Sequence, residues 1–235
     1  MAHGLSTTRA LQIFQVFRLG AVVLTSVLFA KSGLSTADIG AYEMLLYIGV
    51  LFTFLWVNGL LQGMTPVYAQ LDESGRKSFI FNNFLVFCGL SALLFLVLVG
   101  GQKWMIPFLT GQPDLPHYTL FCTFLLLNVP SLPVEYIYLL REQPRQIVVW
   151  GGVVSGLQVA VFFIPLWLGM GIGTSFLMLA VLGAGKFLWT LLLVLRVAEI
   201  RMDMPLLRRY LVFSGPLMAN LFVGNLILLF DNWLV

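Results

Sequence analysis

Long apolar runs separated by short polar connections repeat along the whole chain. Seven runs carry few or no charges and are about 20 residues long, the length that a helix needs to cross about 30 Å of hydrocarbon. The runs are residues 11–30, 40–62, 79–100, 118–140, 147–168, 174–195 and 211–235. This pattern predicts an all-α membrane protein, a polytopic helical bundle of about seven transmembrane helices.

The positive charges are concentrated on alternate connections. Of the 13 Lys and Arg residues, ten lie at the amino end or after the second, fourth and sixth runs. These ten are Arg9, Arg18, Arg76, Lys77, Arg141, Arg145, Arg196, Arg201, Arg208 and Arg209. The remaining connections hold only Lys31 and Lys103, and Lys186 lies inside the sixth run. The positive-inside rule therefore predicts a cytoplasmic amino terminus.

Composition excludes several classes of function. The chain is 60% hydrophobic and 10% charged, whereas about a quarter of the residues in a water-soluble domain are charged. The net charge of +3 comes from pairs that flank apolar runs, so we expect no nucleic-acid binding. Motifs for zinc, phosphate or a nucleophilic serine are missing from the sequence, so we expect no enzyme activity, no cofactor and no metal site. Cys88 and Cys122 lie inside runs and are interpreted as small buried residues.

Small residues and prolines indicate how the helices pack. Gly59 and Gly63, like Gly152 and Gly156, have the spacing that lets helix backbones approach closely in a membrane. We favour packing within the chain over dimerisation for both pairs. Prolines inside the fourth and fifth runs predict bends, which would serve either as structural curvature or as hinges; they are Pro130, Pro133 and Pro165.

Polar residues inside the apolar runs carry the functional information, because an ionisable group at membrane depth is costly. Lys186 is the clearest case, since it is too deep in its run to reach water easily. A polar stripe follows the fourth run at Asn128, Ser131, Glu135 and Tyr138. Further polar positions are Arg18, Glu43, Tyr47, Asn58, Gln62, Asn220 and Asp231. Two interpretations are open: an internal network that pairs Lys186 with Glu135, or a shared aqueous interior.

The chain resembles the polysaccharide-biosynthesis flippases of the multidrug/oligosaccharidyl-lipid/polysaccharide exporter superfamily. The similar segments begin at the first run and end at the seventh. They are Phe17-Arg18-Leu19-Gly20, Asp38-Ile39-Gly40-Ala41-Tyr42-Glu43, Phe163-Ile164-Pro165, Gly215-Pro216 and Phe230-Asp231. The resemblance implies a MATE-like fold of two six-helix lobes. We therefore expect a six-helix amino-terminal lobe over residues 1–200, with a cytoplasmic linker and the first helix of a second lobe over 201–235.

The resemblance also implies a function and a place in the cell. Such proteins flip undecaprenyl-pyrophosphate-linked oligosaccharides across the bacterial cytoplasmic membrane by alternating access. On this basis we expect the substrate to be bound by Arg18, Lys186, Asn58, Gln62 and Asn128. Coupling to H⁺ or Na⁺ is expected at Glu43, Glu135 and Asp231. We expect the chain to be a fragment of such a transporter, in contact with membrane lipids, and to require a missing carboxy-terminal lobe or a second copy of itself. The alternatives are a multidrug or metabolite exporter and a non-transporting membrane scaffold.

Overall fold

Residues 6–234 are described by a computed structural model, with side chains except for Ala30, Leu55 and 224–234. Within this range the regular structure is helical. The helices are α1 Thr7–Lys31, α2 Thr36–Ala69, α3 Glu73–Gly100, α4 Gln102–Thr110, α5 Tyr118–Asn128, α6 Val134–Leu140, α7 Pro144–Trp167, α8 Ile172–Val197 and α9 Met204–Leu234. A single 3₁₀ turn, Val129–Ser131, lies between α5 and α6.

Among the described residues, six segments are long and apolar enough to cross a membrane. They are Thr7–Phe29, Thr36–Phe54, Glu73–Gly100, Tyr118–Leu140, Pro144–Trp167 and Ile172–Val197. These segments confirm the first six predicted spans and a multi-pass helical membrane protein. The predicted seventh span corresponds to α9, and because its side chains from residue 224 onward lie outside the described residues, it stays a prediction.

Proline interrupts the fourth span, as the sequence predicts. The α5 helix ends at Asn128, and Pro130 and Pro133 lie on either side of the end of the 3₁₀ turn, before α6 begins at Val134. Proline has no amide hydrogen and its ring clashes with the preceding turn, so regular α-helix cannot continue through both positions. The result is a break between Asn128 and Glu135, two of the predicted site residues.

Contacts divide the chain into two compact units. Unit 1 comprises Met1–Leu46 and Phe87–Leu192, and unit 2 comprises Tyr47–Val86 and Leu193–Val235. The division follows contacts rather than chain order. The predicted boundary between residues 200 and 201 separates the expected amino-terminal lobe from the start of a second lobe, and it stays a prediction.

In unit 1, α1 packs along α7. Gly151 allows this approach, because a Cβ atom at that position would lie 2.4 Å from Cδ2 of Phe14. Farther along the same pair, the ring of Phe29 lies edge-on to the rings of Phe162 and Phe163, with centroid separations of 5.5 and 5.2 Å. Close backbone approach at one end and aromatic packing at the other hold the two helices together.

In unit 2, α2 packs against α9 through the predicted glycine pair. A Cβ atom on Gly59 would lie 2.4 Å from Cγ of Met218, and one on Gly63 would lie 2.3 Å from Oγ of Ser214. The hydroxyl of Tyr210, in α9, donates to the carbonyl of Leu60 at 2.7 Å. This glycine face is therefore covered by the chain's own helix, as the sequence interpretation favours over dimerisation.

Candidate functional site

Four of the predicted site residues come together in unit 1, and we call them the charged cluster: Arg18, Asn128, Glu135 and Lys186. Lys186 lies near the middle of α8, about 21 Å from Ile172 at the usual helical rise. It is only 8% exposed. Its ammonium donates a hydrogen bond to Oδ1 of Asn128, the last residue of α5. The proline break therefore leaves a polar helix end beside a buried lysine.

Glu135 completes the cluster at longer range. It lies in the first turn of α6, where it is half-buried and interacts electrostatically with both Arg18 and Lys186. Within the described part of the chain, neither cation approaches its carboxylate to within 4 Å. Asn128, rather than Glu135, is thus the direct partner of Lys186, which differs from the direct pair considered from the sequence.

Arg18 is the accessible member of the charged cluster. It lies near the middle of α1, about 17 Å from Thr7 along the helix, and is exposed in the structure. Its guanidinium meets no hydrogen-bond acceptor among the described residues. Two cations face one carboxylate, so the charged cluster has one unmatched positive charge. An arginine with all its donors free is suited to binding an anion.

Aromatic side chains border the charged cluster and were not predicted as site residues. The indole nitrogen of Trp189 donates to the hydroxyl of Tyr138 at 3.0 Å. Trp150, from α7, stacks on Trp189 with ring centroids 6.3 Å apart. These contacts join α6, α7 and α8 beside Lys186. The sequence offered one signal for this position: Trp189 follows Lys186 by three residues, which places the two on the same side of a helix.

An apolar groove runs along α1 and α7 in unit 1. It encloses about 540 Å³ and is lined by small and aromatic residues that include Phe17, Gly20, Gly156, Phe163 and Trp167. A Cβ atom added at Gly20 or Gly156 would meet nothing within 4 Å, so the glycines keep the groove open. Val16 and Phe17 line one end of the groove, so this end lies at about the same depth along α1 as Arg18.

The other predicted site residues lie elsewhere or outside the described side chains. Glu43, in α2, is exposed and has no hydrogen bond or ion pair among the described residues. Asn58 and Gln62 belong to unit 2, where Nδ2 of Asn58 donates to the carbonyl of Phe54 in its own helix at 2.8 Å. Gln62 is exposed. The side chain of Asp231 lies outside the described residues.

The side chains that bind metal ions in proteins are not gathered at one place in the described part of the chain. Among the described residues, no set of three His, Cys, Asp or Glu side chains is placed to hold a metal ion. Cys88 and Cys122 are both free thiols, with Cys122 buried. The charged cluster is accordingly the strongest concentration of site chemistry in unit 1.

Comparison with known proteins leaves the function to be inferred from the chain itself. No protein-family model, curated protein or solved structure matches the chain. The flippase resemblance thus rests on the sequence segments that carry it, and the site rests on the geometry of the charged cluster.

Proposed function

We propose that this chain is a membrane transporter, or the lobe of one, that moves an anionic lipid-linked oligosaccharide across the membrane by alternating access. One observation carries the proposal: Arg18 and Lys186 lie near the middle of their apolar helices, and among the described side chains Glu135 is the carboxylate that interacts with both. Unmatched charge at membrane depth is costly, and it marks a substrate or ion pathway more often than a structural contact.

The two cations have different roles in this proposal. Lys186 is buried and held by Asn128, so it contributes a fixed positive field. Arg18 is exposed and has its donors free, so it makes the direct contact with a phosphate oxygen. A pyrophosphate group suits this arrangement, because its charge is spread over several oxygens and a guanidinium binds two of them at once.

The groove along α1 and α7 supplies a surface for the lipid part of the substrate. Its wall is apolar, and open space remains over Gly20 and Gly156. A hydrocarbon chain there would lie along α1 with its charged end at Arg18. In this proposal a sugar hydroxyl is bound by Nδ2 of Asn128, which the hydrogen bond from Lys186 to Oδ1 leaves free.

The test compares lipid binding by matched arginine variants. The chain in nanodiscs is offered a polyprenyl-pyrophosphate-linked sugar or the neutral polyprenol, and bound lipid is counted by native mass spectrometry. We expect the pyrophosphate lipid to be preferred, and we expect Arg18→Gln to lose that preference. Arg9→Gln is the control, because Arg9 is an exposed arginine on the same helix. Equal binding of the two lipids by the wild-type chain would refute the proposal.

An exporter of aromatic compounds is the second candidate, favoured by the aromatic border of the charged cluster. The stacked rings of Trp150 and Trp189 offer a flat surface that a planar cation would bind. In that case, an aromatic cationic dye would bind the chain, and the substitution Trp189→Ala would weaken the binding of the dye. The pyrophosphate lipid would then show no preference over its neutral counterpart.

A further inference from the structure

We propose that Glu135 is the internal counterion of Arg18 and Lys186, and that an anionic substrate group competes with the Glu135 carboxylate for these cations. Protonation of Glu135 would then strengthen anion binding, and binding would draw a proton onto the carboxylate. This inference rests on the proposed function, because it describes how the same charged cluster is coupled to H⁺.

Geometry is the first support. Three separate helices bring the charges together: Arg18 from α1, Glu135 from α6 and Lys186 from α8. Glu135 accepts no hydrogen bond from the described side chains and lies beyond 4 Å from both cations, so no direct contact holds its charge in place. It interacts with both cations through space. A carboxylate in this position balances one of the two positive charges without occupying the donors of Arg18.

The surroundings of Glu135 leave few other charges to consider. From α1 it faces Arg18, from α8 it faces Lys186, and its neighbour Tyr136 is within electrostatic range. The α7 helix packs against α6, and its ionisable side chain, Arg145, is not among the groups that act on Glu135. The proton balance therefore concerns one carboxyl group and two cations.

Charge arithmetic links the proton to the anion. With Glu135 ionised the charged cluster carries a net charge of one positive unit, and with Glu135 protonated it carries two. By thermodynamic linkage, a proton that strengthens anion binding is itself bound more tightly when the anion is present. Release of the anion returns the proton to water. Proton-coupled transport requires this reciprocity, and Glu135 supplies it as the carboxyl group of the cluster.

The experiment uses a probe whose own charge does not change with pH. Methanedisulfonate carries two permanent negative charges at a spacing similar to that of pyrophosphate, and its binding to the detergent-purified chain is measured by calorimetry from about pH 8 to about pH 5, towards the usual range of carboxyl titration. We expect wild-type affinity to rise by at least about fivefold over this range. Glu135→Gln should bind more tightly than the wild-type chain at the alkaline end of the range and should lose most of the pH dependence.

Controls separate the counterion from the anion site. Glu142→Gln is the matched control, since Glu142 is an exposed glutamate in the connection after α6 and should keep the wild-type pH profile. Arg18→Gln should weaken binding at every pH. Persistent pH dependence in Glu135→Gln, with normal weakening in Arg18→Gln, would overturn the counterion while leaving the anion site in place. Equal binding by wild type and Arg18→Gln, or no binding at all, would overturn the anion site and with it the proposed function.

A second measurement needs no variant. In a weakly buffered solution, addition of methanedisulfonate to the wild-type chain should cause an uptake of protons that follows the binding curve. Binding without proton uptake across the whole range would overturn the role of Glu135, even if Glu135→Gln fails to fold.

Discussion

Asn128 accepts a hydrogen bond from the ammonium of Lys186, and this contact joins the end of α5 to the middle of α8. The carbonyl of Lys186 also accepts a hydrogen bond from Oγ1 of Thr190 at 2.7 Å, within the same helix. The contact lies at the proline break, where α5 ends at Asn128. Because Asn128 is neutral, the hydrogen bond leaves the positive charge of the ammonium unbalanced, whereas a carboxylate partner would balance it.

Replacing Asn128 alone should destabilise the chain more than replacing Asn128 and Lys186 together. In Asn128→Leu the buried ammonium loses its acceptor, and we expect a loss of about 1.5–3 kcal/mol in the free energy of unfolding. In Asn128→Leu with Lys186→Met the charge is gone, so much of that loss should be recovered. Thermal unfolding of the purified variants in one detergent measures both effects. A double variant less stable than Asn128→Leu would contradict a direct partnership.

Two glycines on α7 should respond oppositely to the same substitution. Gly151→Ala should destabilise the chain by about 1–3 kcal/mol, because its Cβ atom would overlap the buried ring of Phe14. Gly156→Ala should be neutral or stabilising by up to about 1 kcal/mol, since its Cβ atom meets nothing within 4 Å and alanine favours helix. The melting temperatures of the two variants in detergent test this contrast. Equal shifts would mean that α1 does not approach α7 at Gly151.

The connection between α8 and α9 is held by the side chain of Asn82, and a single substitution there should make this connection more accessible to protease. Asn82 donates to the carbonyl of Arg201 at 2.9 Å and accepts from the amide of Asp203 at 3.1 Å. Asn82→Ala removes both hydrogen bonds, so trypsin should cleave after Arg201 faster than in the wild-type chain. Mass spectrometry of the fragments over time measures the rate. Asn58→Ala is the control, because that side chain bonds only within its own helix among the described contacts.

The orientation follows from the charge asymmetry and is tested by labelling. In a background without Cys88 and Cys122, Met170→Cys should react with a membrane-impermeant thiol reagent added outside intact cells. Ser74→Cys should react only after the membrane is opened, because the basic residues Arg76 and Lys77 follow it in a predicted cytoplasmic connection. Both positions are exposed in the structure. The opposite labelling pattern would invert the predicted topology.

Local sequence was enough to predict much of the architecture. The length of the apolar runs predicts the six spans, since only a helix of about 20 residues satisfies its backbone while crossing hydrocarbon. Pro130 and Pro133 predict the break in the fourth span, because proline acts on its own helix. Gly169 and Gly171 have φ values of 73° and 80° in the turn before α8, which glycine adopts without strain.

Contacts between distant residues were decided only by the tertiary structure. The sequence placed Arg18, Asn128, Glu135 and Lys186 at membrane depth, but it left a direct pairing of Lys186 with Glu135 open. The structure joins Lys186 to Asn128 and keeps Glu135 at longer range. It also shows that α1 leaves no room for a Cβ atom at Gly151, whereas the space around Gly156 is open. The physical reason is that helix length and proline breaks depend on neighbours in the chain, whereas side-chain partners depend on the rotation and depth at which separate helices pack.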